Sequence, residues 1–103
     1  MPKIRADLFL RCKIGVGMFS SERTVIFSIG ERQHSSIVDA DDVTASAEPE
    51  GDKLVDGFVR VSVIETGETE ALIDLPRETF TGGPRLLVPR DMLERKIPGP
   101  KKA

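Results

Sequence analysis

FVRVSVIETGETEALIDLPRETFTGGPRLLVPRDML, residues 58–93, carries the alternation that decides the fold. Val59, Val61 and Val63 alternate with Arg60 and Ser62, and Ala71, Ile73 and Leu75 alternate with Leu72 and Asp74. A period of two marks a strand with one buried face, because successive side chains leave opposite sides of the backbone. Thr66-Gly67-Glu68 between the two runs predicts a turn. Pro76 ends the second arm, since it has no N–H to give to a ladder. A loop containing Gly82-Gly83-Pro84 leads into a third apolar run at 85–88, and Pro89 can open a single helical turn. The stretch reads as a β-meander closed by one turn of helix.

The same kind of pattern precedes it. Leu8, Leu10, Cys12, Ile14, Val16 and Met18 alternate without a break, with Phe9, Arg11, Lys13, Gly15 and Gly17 between them. This is the strongest periodic signal in the chain. Phe19-Ser20-Ser21-Glu22 turns the chain, and Val25, Phe27 and Ile29 make a second arm over 23–29. Gly30-Glu31-Arg32-Gln33 reads as a turn, Ser36-Ile37-Val38 as a short strand, and Asp39–Val43 as one helical turn capped by Asp39. Residues 44–53, TASAEPEGDK, read as an acidic linker or exposed loop. Both halves therefore run strand, turn, strand, loop, short strand, helical turn. SIVDADDV (36–43) lies over LLVPRDML (86–93) at an offset of 50, and residues 22–32 lie over 68–78 at 46. For the opening strands only an odd offset puts both apolar faces inward, because a one-residue slip inverts a strand.

The expectation is an all-β fold: a single small antiparallel barrel or two-sheet sandwich of about six strands, built from two similarly ordered halves. One β domain spans 1–97, with halves 4–43 and 54–97 joined by the linker 44–53, and 98–103 form a disordered tail. The expected core is Leu8, Leu10, Cys12, Ile14, Val16, Val25, Phe27, Ile29, Val38, Val59, Val61, Val63, Ala71, Ile73, Leu75, one of Leu86 and Leu87, Val88 and Leu93. Within GGPRLLVPRDMLERKI, Val88-Pro89, then Asp91-Met92-Leu93, then Ile97 resemble the close of an SH3-like barrel. There a strand ends in such a pair, a 3₁₀ turn follows, and an apolar residue begins the last short strand. The resemblance covers 57–97 and implies topology alone. The chain has no Trp or Tyr, so the aromatic groove that docks polyproline in peptide-binding SH3 domains is not implied.

Composition narrows the function classes. The 103 residues are 39% hydrophobic and 31% charged, the balance of an ordinary folded domain, with no apolar run long enough for a membrane span. No secretory signal pattern opens the chain and its one cysteine, Cys12, has no internal partner, so a cytoplasmic protein with a buried, inert thiol is expected. A net charge of −2 argues against a dedicated nucleic-acid binder. The charge is uneven: 39–56 carry seven acids against Lys53, and 77–102 carry seven bases against three acids. Solvated faces, a basic face for an acidic partner, and acid–base pairing between copies all fit that distribution.

Candidate chemistry is sparse. His34 is the only histidine, and it reads as an exposed loop residue. Ser35, Ser36 and the aspartates at 39, 41 and 42 write out a triad on paper, without a nucleophile-elbow motif. One His and one Cys make no zinc site, and Asp39-x-Asp41-Asp42 lacks the glycine and distal glutamate of a calcium loop. Neither Gly15-Val16-Gly17 nor Gly82-Gly83 leads into a helix, as a phosphate loop requires. No cofactor, metal or catalytic residue is assigned.

Two loops stand out. Met18 and Phe19 sit at a hairpin end. Residues 77–85 form a connection longer than a hairpin needs, with Phe80 between Arg77 and Arg85; such loops often carry binding. The candidate partner-binding residues are Phe80, Arg77, Arg85, Arg90 and Phe19. The competing reading of Phe80 is a plug for one end of the barrel. Three functions follow as expectations. The first is a non-catalytic module contacting another protein, or its own copy, through the 77–85 loop or an open sheet edge near 36–38 or 85–88. The second is an RNA- or DNA-binding small barrel using Arg77, Arg85, Arg90, Arg95 and the Lys tail. The third is a hydrolase or metal-dependent enzyme at His34 and the acidic turn.

Overall fold

Eight antiparallel strands form one curled half-barrel sheet in the computed structural model, which describes residues 7–80 and 82–95. They are β1 (Asp7–Val16), β2 (Glu22–Ile29), β3 (Arg32–Asp39), β4 (Val43–Ala45), β5 (Val55–Thr66), β6 (Glu70–Asp74), β7 (Arg85–Pro89) and β8 (Leu93–Glu94). Single 3₁₀ turns, Ala40–Asp42 and Arg90–Met92, stand where helical turns are expected. Among the described residues no helix is long and apolar enough to cross a membrane. Ile97 and the tail 98–103 lie outside the described residues.

The strand order is β3-β2-β1-β5-β6-β7, with β4 added to β5 and β8 added to β1. Each half thus runs three strands, a 3₁₀ turn and a short strand, and each short strand crosses to the first strand of the other half. Leu10 faces Val59 across the central ladder, while Leu93 of β8 pairs with Leu10 and Val43 of β4 pairs with Val59. Val43 and Leu93 are 50 apart; Leu10 and Val59 are 49 apart. The opening strands therefore correspond at an odd offset, which brings both apolar faces inward. Ile14↔Val25 and Val63↔Ile73 place the second strands at 48 instead of 46. The β5–β6 register shifts between Val63 and Glu65, and such irregularities move a strand relative to its partner.

Among the described residues the hydrophobic core is made of Leu10, Cys12, Ile14, Val25, Phe27, Val38, Val59, Val61, Ala71, Ile73, Leu75 and Val88. Each large aliphatic among them contributes roughly 1.5–3 kcal/mol by leaving water. Leu8, Ile29, Val63, Leu86 and Leu93 pack against this set half-buried. Val16 does not join it: the residue is 43% exposed, because β1 has run past the end of the core. Leu86 is the inward residue of its pair, and Leu87 is exposed.

Several sequence expectations change. The segment read as a linker from 44 begins inside β4, whose Thr44 and Ala45 pair with Phe58 and Gly57. A side chain at 57 would press on the Thr44 carbonyl and on Ile14, so this crossing needs glycine. The turn read over 30–33 is only Gly30-Glu31, since Ile29 pairs with Arg32; Gly30 takes φ +62, as the tight hairpin requires. Asp39 does not cap the first 3₁₀ turn with its side chain; its carboxylate meets Arg77. The acidic stretch 39–56 pairs within the chain through Arg77–Asp39, Arg60–Asp42, Arg23–Glu48 and Lys13–Asp56, and of these four cations only Arg77 belongs to the basic stretch.

Candidate functional site

β2 reaches β3 in two residues, but β6 reaches β7 through residues 75–84, and that difference builds the site. Leu75 donates its N–H to the Pro84 carbonyl at 2.9 Å, closing the base of the excursion. Inside it the Thr79 hydroxyl lies 3.1 and 3.2 Å from the Gly82 and Gly83 carbonyls, and Thr79 itself is buried. Prolines at both ends and a satisfied hydroxyl in the middle leave the loop few alternative paths.

The loop folds onto the outer edge of β3. Thr79 forms an antiparallel bridge with Ser36, and Phe80 donates its N–H to the Ser35 carbonyl at 2.9 Å. The fully buried Ser36 hydroxyl donates to the Glu78 carbonyl at 2.6 Å. With Thr79 inward, strand alternation turns Phe80 outward, and its side chain is 69% exposed. Phe80 is therefore not the plug of the barrel. It stands at the lip of an open groove of about 530 Å³ lined by Ile37, Leu75, Pro76, Arg77, Glu78, Thr79, Phe80 and Pro84. Arg77 shares this wall and holds Asp39 at 3.4 Å. Both side chains are half-exposed, so the pair is worth only about 0–1 kcal/mol and yields readily to another carboxylate.

The other candidates lie elsewhere. Arg85 binds both oxygens of Asp74 at 2.9 and 3.1 Å, which raises its pKa by hydrogen bonding and charge. Arg90 lies within hydrogen-bond reach of the Gly67 and Glu68 carbonyls and ties down the β5–β6 turn. Phe19 is 68% exposed at the β1–β2 turn and does not line the groove. Sequence reasoning missed Ser35, Ser36, Ile37 and Thr79. The loop's length and its prolines were legible, but nothing local in 76–84 points to β3.

His34 is not an exposed loop residue. The two-residue turn starts β3 at Arg32, which gives His34 the inward parity of Ser36 and Val38. It is 8% exposed and stacks on Phe27, with ring centroids 5.6 Å apart and planes at 24°. Its Nδ1 is buried without a hydrogen-bond partner. Cys12 is buried in the core, and burial pushes its thiol from 9.0 up to about 12, away from the reactive thiolate. Among the described residues no cluster of three or more His, Cys, Asp or Glu side chains is placed to hold a metal ion.

No protein-family model, curated protein or solved structure matches the chain.

Proposed function

We propose that the protein is a non-catalytic binding module that docks a segment of another protein in the groove beside Phe80. The observation that carries this reading is the pairing of a fixed backbone with an exposed ring. Phe80 is held by Ser35 through its N–H, yet more than two-thirds of the residue faces solvent. An aromatic whose backbone is already ordered loses little further freedom on binding, and such residues dominate interface energies. Pro76, Pro84, Ile37 and Leu75 supply an apolar floor, and Arg77 supplies an exchangeable cation. The favoured ligand is an extended segment with an apolar anchor and a nearby carboxylate. The SH3-like close of 57–97 enters as a likeness of topology, and the cytoplasm is the proposed setting.

Intramolecular commitments favour this reading over nucleic-acid binding. Arg85 is matched by Asp74 and Arg90 by backbone carbonyls, so these bases do not form a free phosphate-binding array with Arg77. The test is selection from a displayed peptide library against the full chain. Wild-type protein should enrich one motif, and Phe80→Ala should bind the selected peptide at least about tenfold more weakly. Failure to enrich a motif, or indifference to Phe80→Ala, rejects the reading.

A further inference from the structure

Arg23 lies on the core side of β2, because it shares the parity of the buried Val25 and Phe27. The second strands of the two halves correspond at 48, so its counterpart in the second half is the buried Ala71. One half therefore closes this position with a methyl group, and the other sets a guanidinium there. A charge on a core face calls for a firm partner.

The partner it has is loose. The Arg23 side chain is 19% exposed, and its Nη1 donates to the Ser20 carbonyl at 3.0 Å and to the Glu22 carbonyl at 2.8 Å, which fixes the planar head. Nη2 lies 3.4 Å from Glu48 Oε2, and Nε makes no hydrogen bond among the described residues. That contact is long, and the Glu48 side chain is 79% exposed, so it holds the guanidinium weakly.

Arg23 and Glu48 line an open cleft of about 350 Å³ with Ala40, Val43, Ala45, Ala47 and Pro49. Its frame is fixed on three sides. Ala40 N–H donates to Ser21 O at 2.7 Å, Ser46 N–H donates to Asp56 O at 2.8 Å, and Pro49 is buried next to Glu48. The Glu48 carboxylate can leave while its backbone stays. The volume suits a small ligand, and the apolar walls are no longer than Val and Pro side chains.

We propose that this cleft binds a small carboxylate, which displaces Glu48 and accepts paired hydrogen bonds from Nε and Nη2 of Arg23. A guanidinium edge matches a carboxylate in geometry, and the paired bonds are stronger than the single long contact they replace. Nη1 stays on its two carbonyls, so the cation is preset and little freedom is lost on binding. Glu48 is the internal competitor for the site. A free short-chain acid and the C-terminal residue of a peptide present the same group. The cleft shares no lining residue with the Phe80 groove, and the proposal does not rest on it.

The experiment titrates butyrate, and separately an N-acetylated glycine-glycine-alanine peptide with a free C-terminus, into the isotope-labelled full chain. Butyramide and the amidated peptide are the controls. At least one carboxylate should shift the backbone amides of Arg23, Ala45, Ala47 and Glu48 and saturate in the millimolar range, and neither control should. Arg23→Lys keeps the charge without the planar fork and should weaken binding at least about tenfold. Glu48→Gln changes an exposed side chain and removes the competitor, so it should tighten binding about two- to fivefold, the worth of an exposed ion pair. Phe80→Ala should leave binding unchanged. Tighter binding of the peptide assigns a chain terminus as the ligand, and tighter or equal binding of butyrate assigns a free acid. Equal binding of the amides, no saturable shift with either carboxylate, or weaker binding in Glu48→Gln overturns the proposal.

Discussion

The backbone N–H of Phe80 donates to the carbonyl oxygen of Ser35 at 2.9 Å, and that bond makes a connecting loop a fixed mount for an exposed ring. Forty-five positions separate the two residues. The contact exists because β3 is an outer strand whose odd-numbered carbonyls face away from β2.

Ser36 holds the same junction from inside. Its hydroxyl reaches the Glu78 carbonyl at 2.6 Å in a site closed to water. Ser36→Ala leaves that carbonyl without this donor and should destabilise the fold by about 1–2 kcal/mol. For a domain of this size, thermal unfolding should shift down by several degrees. Exchange at the Phe80 amide should rise more than exchange in β1.

Gly57 sits where β1, β4 and β5 meet. A Cβ there would lie 2.5 Å from the Thr44 carbonyl oxygen and 2.7 Å from Ile14 Cγ1. Backbone cannot step aside as a flexible side chain can, so Gly57→Ala should cost about 1–3 kcal/mol or more in denaturant unfolding. Gly82→Ala, with open space around it, is the control and should change stability far less.

His34 carries a buried Nδ1 with no partner, stacked on Phe27. His34→Leu removes the unmatched polar atom while keeping apolar volume, and should leave stability unchanged or raise it. His34→Ala opens space beside Phe27 and should lose about 1–3 kcal/mol. A strong loss in His34→Leu would contradict the assignment of His34 as a packing residue.

Cys12 gives a pH signature. Its thiol titrates near 9.0 when exposed and near 12 in the fold, so the native state holds the proton more tightly. The associated stability is fully present below pH 9 and is lost as pH rises from about 9 towards 12. The slope is about 1.4 kcal/mol per pH unit across that window. Cys12→Ala should flatten this part of the stability profile. Native protein at pH 8 should resist thiol alkylation that the unfolded chain undergoes readily.

Much of the architecture is legible in the sequence because it rests on period-two patterns long enough to read. Leu10 to Ile14, Val25 to Ile29, Val59 to Val63 and Ala71 to Ile73 fall in strands with the expected face inward, and Leu75, just past the end of β6, is buried with them. The pairing of SIVDADDV with LLVPRDML at 50 also matches the two outer strands and their 3₁₀ turns. β4 and β8 are too short to read from sequence, because two or three residues carry no period and their partners lie in the other half of the chain. The turn after β2 is two residues shorter than the polar run Gly30–Gln33, and the two added strand residues give His34 its inward parity. At the candidate site, the length of 77–85 and the presence of Phe80 were readable. The exposure of Phe80 was not, since an aromatic in such a loop fits core and surface equally until the Ser35 and Ser36 contacts are known.

The central claim is that the Phe80 groove, and not the scattered arginines, binds the partner. The most direct measurement is the affinity of the library-selected peptide for wild type, Phe80→Ala and Arg90→Ala at low and moderate salt. The account predicts a loss of at least about tenfold for Phe80→Ala, equal to about 1.4 kcal/mol or more, with Arg90→Ala close to wild type and a shallow salt dependence. Unchanged binding in Phe80→Ala, with a steep loss in Arg90→Ala and on adding salt, would contradict it.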